Sequence, residues 1–129
     1  MTICTSYYAN WRKFPKEAIL FKISRTSPIG GTIDEAKKLP CLYPSETLFD
    51  LYRAGAINKE KFKEMYIKGI ENYFETSTDG EAVLDIIKQM HNEKTLYLFL
   101  CYEGKNKFCH RRIFAKWFEE KFKLKIEEL

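Results

Sequence analysis

Residues 95–101 (TLYLFLC) carry no charge and no polar side chain after the opening threonine. A strand with one wet face alternates apolar and polar residues, so an unbroken run of this length predicts a strand covered on both sides, as in a parallel sheet. A polar loop with one glycine follows, from Tyr102 to Lys107. Over 109–122, Ile113, Phe114, Trp117, Phe118 and Phe122 then fall on one side of a helix. Strand, short loop and helix in that order are the unit of an open α/β sheet, which binds ligands at the carboxyl ends of its strands.

The rest of the chain is compatible with that architecture. Residues 2–8 are β-branched and aromatic and read as a first strand, and residues 18–24 as a second. Proline and glycine at Pro28, Gly30, Gly31, Pro40 and Pro44 break regular structure through the next twenty residues. Ser45 is placed to cap a short helix that stops at Gly55, and Asn58 to cap a longer one carrying Phe62, Met65, Tyr66, Ile70, Tyr73 and Phe74 at helical spacing. Thr78 and Glu81 have the spacing of a capping box ahead of Val83, Leu84, Ile87 and Met90, which predicts a third helix. Residues 123–127 alternate as a short edge strand does. The expected fold is one α/β domain over 1–129: a small, open, mostly parallel sheet with helices on both faces.

At 129 residues the chain is long enough for a core without metal or disulfide staples. Lys and Arg number 22 against 18 for Asp and Glu, a net charge of +4. That excess is weaker than a dedicated duplex binder carries, yet it accommodates an anionic ligand. No signal-like segment and no membrane-length apolar run is present, so the expected location is the cytoplasm, with Cys4, Cys41, Cys101 and Cys109 all as thiols. His91, near the end of the predicted third helix, reads as a cap-type residue.

Chemistry-bearing residues concentrate at the strand-to-helix turn. Cys101 ends the strand, Tyr102 and Glu103 open the loop, and Cys109, His110 and Arg111 open the helix. A helix N-terminus attracts anions, Arg111 offers a bidentate donor to phosphate, and a Cys109 thiol there would ionise readily. Spacing excludes a phosphatase or rhodanese loop, since the position six after Cys101 is Lys107 and six after Cys109 is Ala115. Zinc could recruit Cys101, Cys109 and His110. However, there is no Cys-x-x-Cys pair, and adjacent Cys and His are awkward co-ligands, so no metal or other cofactor is expected.

Cys101-Tyr102-Glu103 followed by Cys109-His110-Arg111 and Ala115 resembles the signature of the family known as domain of unknown function 488. The segment 5–10 is similar to that of its small, single-domain branch, and Tyr52-Arg53 before a glycine fits its middle region. The resemblance implies a compact α/β fold with Ser6, Arg25, Cys101, Glu103, Cys109, His110 and Arg111 near one cleft, and no established activity. The chain departs from the family at 24–28, where Arg25 lacks the usual acidic neighbour.

The combined expectation is a cleft for a phosphorylated small molecule, a nucleotide above all, which the protein modifies or sequesters. Arg111, Arg25 and the helix N-terminus would hold the anion, with Cys101 and Ser6 beside it. Tyr7, Tyr8, Trp11 or Tyr102 would stack on a base. Glu103, His110 and Cys109 would supply any acid–base or nucleophilic chemistry. The competing classes are a nucleic-acid-binding module and a protein-interaction domain with structural cysteines. No membrane partner is expected. Whether catalysis occurs, and the oligomeric state, stay open at this level.

Overall fold

The computed structural model describes residues 2–28, 30–76, 96–104 and 108–129. Five strands form one sheet: β1 (Thr2–Tyr7), β2 (Ile19–Lys22), β3 (Lys37–Lys38), β4 (Leu96–Cys101) and β5 (Ile126–Glu128), in the order β3-β2-β4-β1-β5. Every pairing is parallel. The apolar run at 96–101 is central, flanked by β2 and β1, and its residues Tyr97 to Cys101 are all buried. β3 is the strand that sequence patterning missed. Its two exposed lysines give no alternation to read, and an edge of two lysines suits a strand that must not recruit another.

The pleat sorts the core into two layers. Ile3, Phe21, Tyr97, Phe99 and Cys101 face one side with Leu48, Phe62, Ile70, Phe114 and Phe118. Cys4, Leu20, Leu98 and Leu100 face the other with Tyr8, Ile33 and Ala36. Among the described residues, the first layer is roofed by α1 (Glu46–Arg53), α2 (Lys59–Thr76) and α3 (His110–Phe122). The second is covered by two 3-10 segments, Tyr8–Lys13 and Gly31–Glu35. The helix predicted over 78–90 and His91 lie outside the described residues.

Local chemistry sets the helix ends. The Leu48 N–H donates to Ser45 Oγ at 3.1 Å, and the Lys61 N–H to Asn58 Oδ1 at 2.8 Å, so both predicted caps are made. α1 closes with Gly55 at φ 74°, where the Gly55 N–H donates to the Tyr52 carbonyl and the Ala56 N–H to that of Leu51. That pair of bonds is a Schellman motif, and the positive φ explains the glycine.

Because the strands run parallel, their carboxyl ends share one edge. Tyr7 lies in register with Cys101, and the Ile23 N–H donates to the Leu100 carbonyl at 2.9 Å. Phe99 is 1% exposed, stacks on Phe21 and meets the Phe114 ring at a tilt. Truncating it to Ala should destabilise the fold by about 3–5 kcal/mol, whereas Ser45→Ala, which removes one cap, should cost only about 1 kcal/mol. Urea denaturation of the two variants tests that order.

Candidate functional site

β4 delivers Cys101 to the sheet's carboxyl edge, and the chain turns through Tyr102, Glu103 and Gly104 before α3 begins. Cys109 is the N-cap of α3, in extended conformation, with its sulfur accepting the Arg111 N–H at 3.5 Å in place of the usual oxygen. Cys101 and Cys109, at 0% and 3% exposure, bring their sulfurs into bonding contact. The sequence reading, which took all four cysteines as thiols, did not place these two together; they meet because the strand end and the helix cap lie side by side across the loop. Their Cα atoms are 7.6 Å apart. Glu103 Oε2 is 3.3 Å from Cys109 Sγ.

His110 opens α3 and is buried, with Nε2 against the Ile23 carbonyl and Nδ1 3.9 Å from Cys109 Sγ. Burial lowers its pKa to about 4, an effect the bond to Ile23 opposes and the nearby Arg111 charge reinforces. The imidazole is therefore neutral near pH 7.

Arg111 does not face the cleft, contrary to its expected place on the anion. Its side chain is wholly buried and four of its five N–H donors have partners within the fold. Nε pairs with Glu128 Oε1 at 2.8 Å, Nη1 reaches Cys101 Sγ at 3.1 Å and the Glu103 carbonyl, and Nη2 donates to the Gly104 carbonyl at 3.1 Å. Arg112 adds a second contact to Glu128 at 3.1 Å. Burial by itself would raise the Glu128 carboxyl, but hydrogen bonds from Arg111 and Arg112 outweigh it and hold the group below its ordinary range. β5 supplies this carboxylate from seventeen residues away, which spacing around the motif could not reveal.

An open cavity of about 310 Å³ adjoins this cluster, lined by Ser24, Arg25, Thr26, Glu46, Phe49, Asp50, Arg53, Tyr102, Glu103 and His110. Four of the expected site residues thus converge: Arg25, Tyr102, Glu103 and His110. Tyr102 is 55% exposed at the rim. Cys101 and Cys109 lie behind Glu103 and His110 and do not line the cavity.

Ser6, Tyr7 and Trp11 do not line it either. Ser6 is buried against the Leu129 carbonyl and Asn10, because β1 is an interior strand and its end is covered. Tyr7 packs its ring 5.6 Å from the Arg111 guanidinium carbon. Trp11 sits exposed on the 3-10 segment after β1, stacked with Arg12. Tyr8 is buried, its hydroxyl 2.6 Å from Ser24 Oγ and its pKa pushed up by burial to about 12.

The α1 contribution escaped the sequence reading. Glu46, Phe49, Asp50 and Arg53 follow the i, i+3, i+4, i+7 rule and so share one helix face, a face of mixed charge with a half-buried aromatic at its centre. Arg53 lies over the Phe49 ring at 5.2 Å, and Arg25 meets Glu46 at 3.9 Å, an exposed pair of little energetic weight.

A single parallel α/β domain with a Cys-x-Glu and Cys-His-Arg cluster at its carboxyl edge is the class these features define. The family model described as "Active DUF488-N3 subclade" (DUF488-N3a) matches residues 9–122. The chain belongs to the DUF488 family. No curated protein and no solved structure matches it. No helix among the described residues is long and apolar enough to cross a membrane.

Replacing Arg111 with Ala should cost about 3–5 kcal/mol of stability, the scale for breaking a buried pair, rather than act on ligand affinity alone. Glu128 has a folded pKa below its unfolded value near 4.5, so its contribution is complete above that pH and is lost as pH falls through the folded pKa. Glu128→Gln should therefore flatten the acid limb of the stability–pH profile, measured by chemical denaturation from about pH 7, well above the ordinary glutamate value of about 4.3, down to about pH 2.

Proposed function

We propose that the protein binds a phosphorylated small molecule, a mononucleotide above other ligands, in the cavity between α1 and the loop after β4. The observation that carries this reading is the convergence of Arg25, Arg53, Tyr102 and Glu103 on one opening. Arg25 and Arg53 are exposed and flank it, which suits a bidentate grip on phosphate. Tyr102, exposed at the rim and in T-shaped contact with the Tyr8 ring, suits a base in the manner of aromatic stacking platforms. Asp50 and Glu103 are acceptors for the N–H and O–H groups of a base or ribose. A lining of both signs suits a ligand with an anionic end and a donor-rich end better than it suits bare phosphate. The cavity volume of about 310 Å³ stands at the small end of ligand sites, which favours one nucleotide over a dinucleotide.

Within this reading the Glu103 carboxylate faces the ligand. His110 is a positioning group, because its Nε2 is committed to the Ile23 carbonyl. Arg111 acts through the loop it holds and not on the phosphate.

Nucleoside mono-, di- and triphosphates should raise the melting temperature in a concentration-dependent way. Arg25→Ala and Arg53→Ala should each weaken binding by about 1.5–3 kcal/mol, the scale of a charge-assisted hydrogen bond, and Tyr102→Ala by about 1–3 kcal/mol. Isothermal titration of the four proteins measures this. Indifference to every nucleotide at millimolar concentration would sink the proposal. Tight, steeply salt-dependent binding of single-stranded oligonucleotides would instead favour the nucleic-acid reading, and neither effect together with a stable protein complex the interaction-domain reading.

A further inference from the structure

Cys101 Sγ, Cys109 Sγ, a ring nitrogen of His110 and a carboxylate oxygen of Glu103 all lie within 4.8 Å of one another behind the cavity wall. We infer that these four residues form a binding site for a single zinc-type divalent cation, with Cys101, Cys109 and His110 as buried ligands and Glu103 closing the coordination sphere from the cavity side. The inference does not rest on the nucleotide reading.

The two sulfurs, in contact here, part to about 3.8 Å around an ion, whereas the distances to the other two ligands already suit a tetrahedral one. Metal–sulfur bonds of about 2.3 Å and metal–nitrogen or metal–oxygen bonds of about 2.0–2.1 Å put neighbouring ligand atoms about 3.6 Å apart. Around Cys109 Sγ, Glu103 Oε2 is at 3.3 Å and His110 Nδ1 at 3.9 Å, bracketing that edge. Adjacent Cys and His looked like poor co-ligands in the sequence. The helix cap removes the difficulty. Cys109 has extended backbone (φ −147°, ψ 141°) and His110 is the first helical residue, so the change of direction between them turns both side chains to one point.

The surroundings are those of a metal site. His110 Nε2 is held by the Ile23 carbonyl, which leaves the Nδ1 lone pair directed at Cys109, the arrangement in which ligating histidines are normally oriented. Both sulfurs receive hydrogen bonds from Arg111, Cys101 from Nη1 and Cys109 from the main-chain N–H, as thiolate ligands do. Two thiolates and a carboxylate carry three negative charges, and a divalent cation leaves one. The Arg111–Arg112–Glu128 group beside them carries one net positive charge, so the whole assembly is neutral.

A disulfide accounts for less. The Cα separation of 7.6 Å exceeds the roughly 4.4–6.8 Å over which cysteines normally bridge. A disulfide also gives no role to the imidazole and the carboxylate that complete the quartet. Sulfur, nitrogen and oxygen donors in this proportion suit zinc and not magnesium or calcium. With Glu103 on the cavity side, the fourth position is the exchangeable one, through which a ligand in the cavity could reach the ion.

Titration of the metal-free, reduced wild-type chain with Co2+ tests the site. Expected is one equivalent bound, with the visible bands of tetrahedral cobalt and a near-ultraviolet thiolate charge-transfer band, both abolished by Zn2+. Cys101→Ser and Cys109→Ser should each weaken binding on the order of 100-fold or more and shrink the thiolate band. Glu103→Gln, which leaves the buried ligands in place, should keep that band while weakening binding on the order of 10-fold, the low end for perturbing a metal site; it serves if the cysteine variants do not fold. Protein purified without reductant or chelator, then unfolded with chelator, should show four thiols. Two thiols in that assay, absence of the charge-transfer band, or cobalt binding that survives loss of both cysteines would each overturn the inference. The nucleotide-induced melting shift is read separately from cobalt absorption, so either proposal can fail alone.

Discussion

A guanidinium with no access to water needs an anion and several acceptors, or it will not stay buried. Arg111 has them from four directions: the Glu128 carboxylate on β5, the Cys101 sulfur at the end of β4, and the Glu103 and Gly104 carbonyls in the loop between β4 and α3. One side chain in the first turn of α3 therefore joins the central strand, the turn after it and the far edge of the sheet. Because two of its acceptors are the carbonyls of residues 103 and 104, it also sets the direction of the loop, and with it the place of the Glu103 carboxylate beside Cys109.

The same arrangement settles an electrostatic conflict at the start of α3. His110, Arg111 and Arg112 stand where the helix dipole disfavours positive charge. Burial keeps His110 neutral, and Glu128 offsets the arginines. The helix N-terminus is thus not free to take a ligand anion on its own. The cationic groups that do face the cavity, Arg25 and Arg53, come from the end of β2 and from α1.

This division gives the site two layers. Behind the wall, Cys101, Cys109, His110 and Arg111 form a tightly bonded cluster with almost no exposure. In front, Arg25, Asp50, Arg53 and Tyr102 present adaptable groups to solvent. Glu103 belongs to both, lining the cavity while touching the Cys109 sulfur. A change on the cavity side alters what can bind, whereas a change behind it alters whether the wall exists.

The central strand, the caps at Ser45 and Asn58, the stop at Gly55 and the α3 face were legible in the sequence because each depends on side chains a few residues apart. The unbroken run at 96–101 could be satisfied only by cover on both faces, and the structure provides it. Motif spacing likewise located Glu103 and His110 at the sheet's carboxyl edge. What spacing could not supply was direction. Arg111 turns inward because Glu128 arrives beside it on β5, a pairing made by the parallel register of β5 with β1. Arg53 and Asp50 reach the cavity because α1 stands opposite Ser24, Arg25 and Thr26, the residues that follow β2. The cysteines meet because a strand end and a helix cap are neighbours in space. Local periodicity determines which residues are apolar and where elements stop. Long-range pairing decided which polar groups face water and which face one another, since burial of a charge is permitted only where the fold brings its partner.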